Sequence, residues 1–126
     1  MGTNRPGAFP LRVLICGSRK WVDIKPILRE LQLLENIDCL IEGEALGADT
    51  LARQAAESLN IPVSKFPADW KTFGKTAGPI RNRQMLLEGK PDLVLAFHPC
   101  LEQSLGTKNM VNQAKAKGIT VKVISS

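Results

Sequence analysis

Leu11-Arg-Val-Leu-Ile-Cys-Gly-Ser-Arg19 decides how the rest of the chain is read. An apolar run rich in branched side chains stops at a glycine and gives way to a small hydroxyl and a charge. A strand buried on both faces of a parallel sheet reads as such an unbroken run, whereas a half-exposed antiparallel strand alternates. Downstream, Asp23 is placed to cap a helix with Pro26 in its first turn, where a missing N–H does little harm. Ile24, Ile27, Leu28, Leu31 and Leu34 then form one stripe at helical spacing.

The same alternation continues to the end. Asp38-Cys-Leu-Ile41 reads as a second strand, and Ala48, Leu51, Ala52, Ala55 and Leu59 line a second helix. Pro62 to Phe66 reads as a third strand, and residues 67–78 as a loop. Pro79 opens a helix that runs to about Glu88, with Gly89 as its stop. Asp92-Leu-Val-Leu-Ala-Phe97 is the fourth strand. After a loop over 98–106, a helix from Thr107 to Lys117 ends at Gly118, and Thr120-Val-Lys-Val-Ile124 is the fifth strand. Strict β-α alternation with short connections predicts an α/β fold: a single Rossmann-like three-layer domain of five parallel strands and four helices.

Composition agrees with one globular unit. A chain of 126 residues accommodates one core, and 44% hydrophobic against 23% charged residues excludes a disordered chain. No apolar run approaches the ~20 residues of a membrane span. Residues 1–10 lack the apolar centre of a secretory signal and read as a disordered arm before a domain over 11–126. The cysteines, Cys16, Cys39 and Cys100, are odd in number and form no Cys-x-x-Cys pair. Cys16 and Cys39 sit within apolar runs as small buried hydrophobes, and a reducing cytoplasmic setting is expected. His98 is the lone histidine, so no metal site is expected. The net charge of +5 suits a partner carrying phosphate, on a small molecule or a nucleic acid.

In an open parallel sheet, ligands bind outside the carboxyl ends of the strands. Four segments on that edge contain residues the fold itself does not require. Gly17-Ser18-Arg19 offers a close backbone approach, a hydroxyl and a guanidinium fork. Glu42-Gly43-Glu44-Ala-Leu-Gly47-Ala-Asp49 enters a helix whose N-terminus favours anions, yet it carries three carboxylates. At least one of these must therefore face hydroxyls, a base edge or a cation; Asp49 serves equally well as a helix-stabilising first-turn acid. Arg81 and Asn82 fall in the first turn of the Pro79 helix, where the dipole disfavours cations, and call for a compensating anion. Ser104-Leu-Gly106-Thr107 opens the last helix as an anion cradle, or as a cap made by Thr107. Gly74-Lys75-Thr76 lacks the glycine and the preceding strand of a phosphate-binding P-loop.

Taken in order, Gly17-Ser-Arg19, Glu42-Gly-Glu-Ala-Leu-Gly-Ala-Asp-Thr-Leu-Ala52, Ala68-Asp-Trp70, Gly74-Lys-Thr-Ala-Gly-Pro-Ile-Arg-Asn-Arg-Gln-Met85, Ala96-Phe97 and Ser104-Leu-Gly-Thr107 resemble the YspA/YpsA-related branch of the SLOG superfamily. The resemblance implies a Rossmann-like fold and recognition of nucleotides or nucleotide-derived ligands such as NAD or ADP-ribose derivatives. Distant relatives include the Lonely Guy phosphoribohydrolases and the single-stranded-DNA-binding protein DprA. Arg81 matches the arginine of their Arg-Lys-x-x-Met segment, and Ser104, Gly106 and Thr107 match their phosphate-binding Gly-Gly-x-Gly-Thr loop. After Thr107, however, stand Lys108, Asn109 and Met110 instead of the acidic pair of the phosphoribohydrolases, which argues against their mode of cleavage.

Three readings follow. The first is a sensor or binding protein with phosphate held by Gly17, Ser18, Arg81, Gly106 and Thr107, and ribose hydroxyls taken by Glu42 or Glu44. Arg19, Gly43, Gly47, Asp49, Asn82 and Ser104 complete its binding set, and no cofactor is required besides the nucleotide-like ligand. The second is a hydrolase of an N-glycosidic or related bond with Glu42 or Glu44 as catalytic carboxylate. The third is DNA binding in the manner of DprA, disfavoured because the basic residues form no stripe. A homodimer or higher homo-oligomer is what the relatives imply, and no membrane partner is expected.

Overall fold

A computed structural model describes residues 10–126. Five strands form one sheet: β1 (Leu11–Gly17), β2 (Ile37–Glu42), β3 (Val63–Lys65), β4 (Leu93–Phe97) and β5 (Thr120–Ile124). Their order is β3-β2-β1-β4-β5, and every neighbouring pair is parallel. β1 is central, as its continuous apolar run requires, with Val13, Leu14 and Ile15 fully buried. The arm read over residues 1–10 lies, Pro10 apart, outside the described residues.

Alternate side chains of the strands feed two cores. Val13, Ile15, Leu40, Leu95 and Phe97 point to one face, covered by α1 (Lys25–Gln32) and α2 (Ala48–Ser58) through Ile27, Leu31, Ala52 and Ala55. Leu14, Ile41, Val94 and Ala96 point to the other, where Met85, Leu86, Met110, Val111 and Ala114 close over them. This is the three-layer arrangement expected from the alternation. Cys16 and Cys39 lie in the second core with their thiols pushed up by burial, as inert packing groups.

Two connections set the carboxyl edge. Pro26 is buried in the first turn of α1, as anticipated, but the cap position is Ile24; Asp23, one residue earlier, accepts from the Lys25 backbone N–H at 3.0 Å through Oδ1. The stretch 67–78, read as a loop, is instead largely helical. Asp69 Oδ1 accepts from Thr72 N–H at 3.0 Å and caps the single turn α3 (Trp70–Phe73). A 3₁₀ turn over Gly74–Thr76 follows, and α4 (Ala77–Gln84) then begins two residues before Pro79. A π-helical turn, Met85–Gly89, extends it, and Lys90 ends it in the left-handed region at φ 51°. The last helix, α5, spans Gly106–Ala116.

Gly17 is where β1 leaves the sheet. A Cβ there would stand 2.2 Å from the Phe97 carbonyl oxygen and 2.7 Å from Ala48 Cβ, so backbone and helix both block any side chain. Gly17→Ala is therefore expected to destabilise the fold by about 1–3 kcal/mol through overpacking. Urea denaturation giving a wild-type midpoint would contradict this account of the β1–β4 seam.

Candidate functional site

At the end of β2 the backbone must turn into α2, and its N–H groups need acceptors in a region with little water. Glu42 Oε1 accepts from the Glu44 N–H. Asp49 Oδ2 accepts from Gly43 N–H at 3.1 Å and from Ala45 N–H at 3.2 Å. Glu44 adopts φ 58° and its side chain is exposed, while Gly47 enters α2 at φ 76°. A Cβ on Gly47 would meet the Ser18 carbonyl oxygen at 2.3 Å, so only glycine fits this turn. Two of the loop's three carboxylates thus serve its own backbone, and Glu44 alone faces outward.

Arg81 fastens the opposite side. Its Nη1 donates to the Gly43 carbonyl and, at 3.5 Å, to the Phe66 carbonyl, while Nε donates to Asn82 Oδ1 at 3.1 Å. Among the described residues Nη2 has no hydrogen-bond partner. A Cβ on Gly43 would fall 2.4 Å from Nη1, so the glycine makes room for the guanidinium. Because α4 starts at Ala77, Arg81 lies in the helix's second turn, and the expected clash with its positive end does not arise. Burial pulls Arg81 below the ordinary guanidinium value, opposed by the carboxylate of Asp49.

These residues border an open cleft of about 420 Å³, lined by Arg19, Gly43, Glu44, Ala45, Leu46, Pro67, Ala68, Trp70 and Arg81. That size is ordinary for a small-molecule site. Arg19 extends from the end of β1 with its guanidinium carbon 5.7 Å from the centre of the Trp70 ring, a cation–π contact. The binding set read from the sequence contains Arg19, Gly43, Glu44 and Arg81 but not Ala45, Leu46, Pro67, Ala68 or Trp70. The Asp69-to-Thr72 spacing, a short helix cap four residues beyond β3, is the signal that could have brought Trp70 to the cleft.

The remaining candidates stand apart from it. Ser18 Oγ accepts from Lys20 N–H at 3.0 Å, and the Ser18 carbonyl accepts from Ala48 N–H at 3.0 Å. Ser104, not Thr107, caps α5: its Oγ accepts from Thr107 N–H at 2.9 Å and from Lys108 N–H at 3.4 Å. Thr107 is buried, and Gly106 has open space on its Cβ side. Asn82 is a buried bridge from α4 to α5, donating to the Gly106 carbonyl at 3.3 Å and to Asn109 Oδ1 at 3.2 Å. His98 Nδ1 accepts from Cys100 N–H at 3.0 Å, a loop role. A second groove, of about 310 Å³, lies beside Ser18, Trp21, Val22, Pro26 and Pro99.

The family model for the YspA, cpYpsA-related SLOG family matches residues 11–73, half of the chain and most of the cleft lining. The chain belongs to this family. Gene 61 protein of Mycobacterium phage D29 is 36% identical over 119 residues, covering 87% of this chain and 93% of that protein. The X-ray structure of DNA processing protein A (DprA) from Streptococcus pneumoniae aligns with a TM-score of 0.75 over 93% of this chain, at 21% identity. The chain spans about half of that one, 51%, and the likeness is one of fold. Among the described residues, no helix of this SLOG protein is long and apolar enough to cross a membrane.

Beneath the cleft loop, Glu42 is fully buried and its Oε2 has no hydrogen-bond partner among the described residues. Burial pushes its carboxyl up to about 7, against the Glu44 N–H, and raises Asp49 to about 6. In the unfolded chain Glu42 ionises near 4.5. Between that value and about 7 the unfolded state has released a proton that the folded state keeps. Stability due to this group is full at low pH and is lost as pH rises through that window. Glu42→Gln removes the charge, so its stability relative to wild type should improve by about 2 kcal/mol between pH 5 and pH 8. Parallel denaturation curves for the two proteins across that range would contradict the buried carboxyl.

Proposed function

We propose that this SLOG protein binds a nucleotide or nucleotide-derived small molecule in the Arg19–Arg81 cleft and acts as a binding or sensing protein. One observation carries the reading: two guanidiniums border the same cleft as an exposed carboxylate, Glu44. The exposed Arg19 fork and the Arg81 Nη2, unpartnered among the described residues, suit phosphate oxygens, and a carboxylate suits the vicinal hydroxyls of a ribose. The Gly43, Glu44 and Ala45 N–H groups are engaged by Glu42 and Asp49, which favours side chains over these amides as the anion contacts. The N-glycosidic hydrolase, read with Glu42 or Glu44 as its catalytic carboxylate, is less well supported, because Glu42 is buried and Glu44 alone borders the cleft.

Thermal denaturation with adenosine 5′-monophosphate, ADP-ribose and NAD tests this. A ligand at about a hundredfold its Kd should raise Tm by on the order of 5–10 °C. Arg19→Ala, which removes an exposed side chain, should weaken that ligand by about 10- to 100-fold. No shift with any of the three, or full affinity in the variant, would contradict the proposal.

A further inference from the structure

Trp70 is a large aromatic left half-exposed, at 49%, on the wall of a cleft otherwise dominated by polar and small groups. Its position is built. Asp69 caps the turn that carries it, and the indole edge lies 3.5 Å from where a Cβ on Gly78 would stand, so the start of α4 supports the ring. Leu46, 73% exposed, lines the same cleft from the loop after β2, giving it a second apolar surface. Phosphate and ribose have no use for either. An aromatic heterocycle does, since every base has a π-face to lay on an indole.

We propose that Trp70 is a specificity-determining residue that stacks on the aromatic base of the ligand, so that the cleft selects intact nucleotides over ribose phosphates. This rests on the nucleotide reading above and adds the base to it. Arg19 covers the ring in the free protein by a cation–π contact, which on an exposed ring is weaker than a stacked base. A phosphate entering the cleft draws the Arg19 guanidinium off the indole and leaves the face to the base.

Calorimetric titration of adenosine 5′-monophosphate and of ribose 5-phosphate into wild type, Trp70→Leu and Trp70→Phe tests the assignment. Wild type is expected to prefer the nucleotide by about tenfold or more. Trp70→Leu should lose that preference, and Trp70→Phe, which restores a ring, should keep most of it. Equal binding of both compounds to wild type, or an undiminished preference in Trp70→Leu, overturns the role of Trp70 while leaving the phosphate site standing. Binding of neither compound overturns this inference and the nucleotide reading together.

Discussion

The backbone of Gly43 is gripped from two sides, and the carboxyl edge of the sheet is arranged around that grip. Its N–H is taken by Asp49 from the first turn of α2, and its carbonyl by Arg81 from α4. α2 and α4 lie on opposite faces of the sheet, so one residue couples both outer layers where the strands end. Only glycine leaves room for the guanidinium at this distance. Any residue with a Cβ would push Arg81 away, and the cleft wall with it.

This arrangement accounts for an electrostatic oddity of the chain. For an edge proposed to bind phosphate, three carboxylates in eight residues look self-defeating. The contradiction disappears once Glu42 and Asp49 are seen to accept from the N–H groups of their own loop. Their charge is also held down, since burial raises both carboxyls toward neutrality. Arg19 and Arg81 are left as the cations of the cleft, with Glu44 as its single outward acid. The helix start at α5 follows the same logic, since Ser104 accepts from the Thr107 and Lys108 N–H groups.

Fold and site differ in how far they could be read from sequence. The doubly wound sheet was legible because burial on both faces leaves continuous apolar runs, and Leu11–Cys16 and Leu93–Phe97 show them plainly. Cleft residues at strand ends, Arg19, Gly43 and Glu44, were legible from the position rule for parallel sheets. The helical content of 70–78 was not, because Gly74, Gly78 and Pro79 mask a helix whose start depends on the Asp69 cap. Nor could sequence tell which carboxylates turn inward. That depends on which backbone N–H groups lack acceptors, a property of the folded loop. Arg81 escapes the positive end of its helix because α4 begins at Ala77 and not at Pro79.

The central claim is that ligand recognition sits over the ends of β1, β2 and β3, not at the start of α5. Amide proton–nitrogen shifts followed by NMR during titration with ADP-ribose address it most directly. The account predicts saturable shifts at Arg19, Gly43 to Leu46, Ala68 and Trp70, with little change at Ser104 to Lys108. Shifts centred on Gly106 and Thr107, or on the groove beside Trp21 and Pro99, would contradict it.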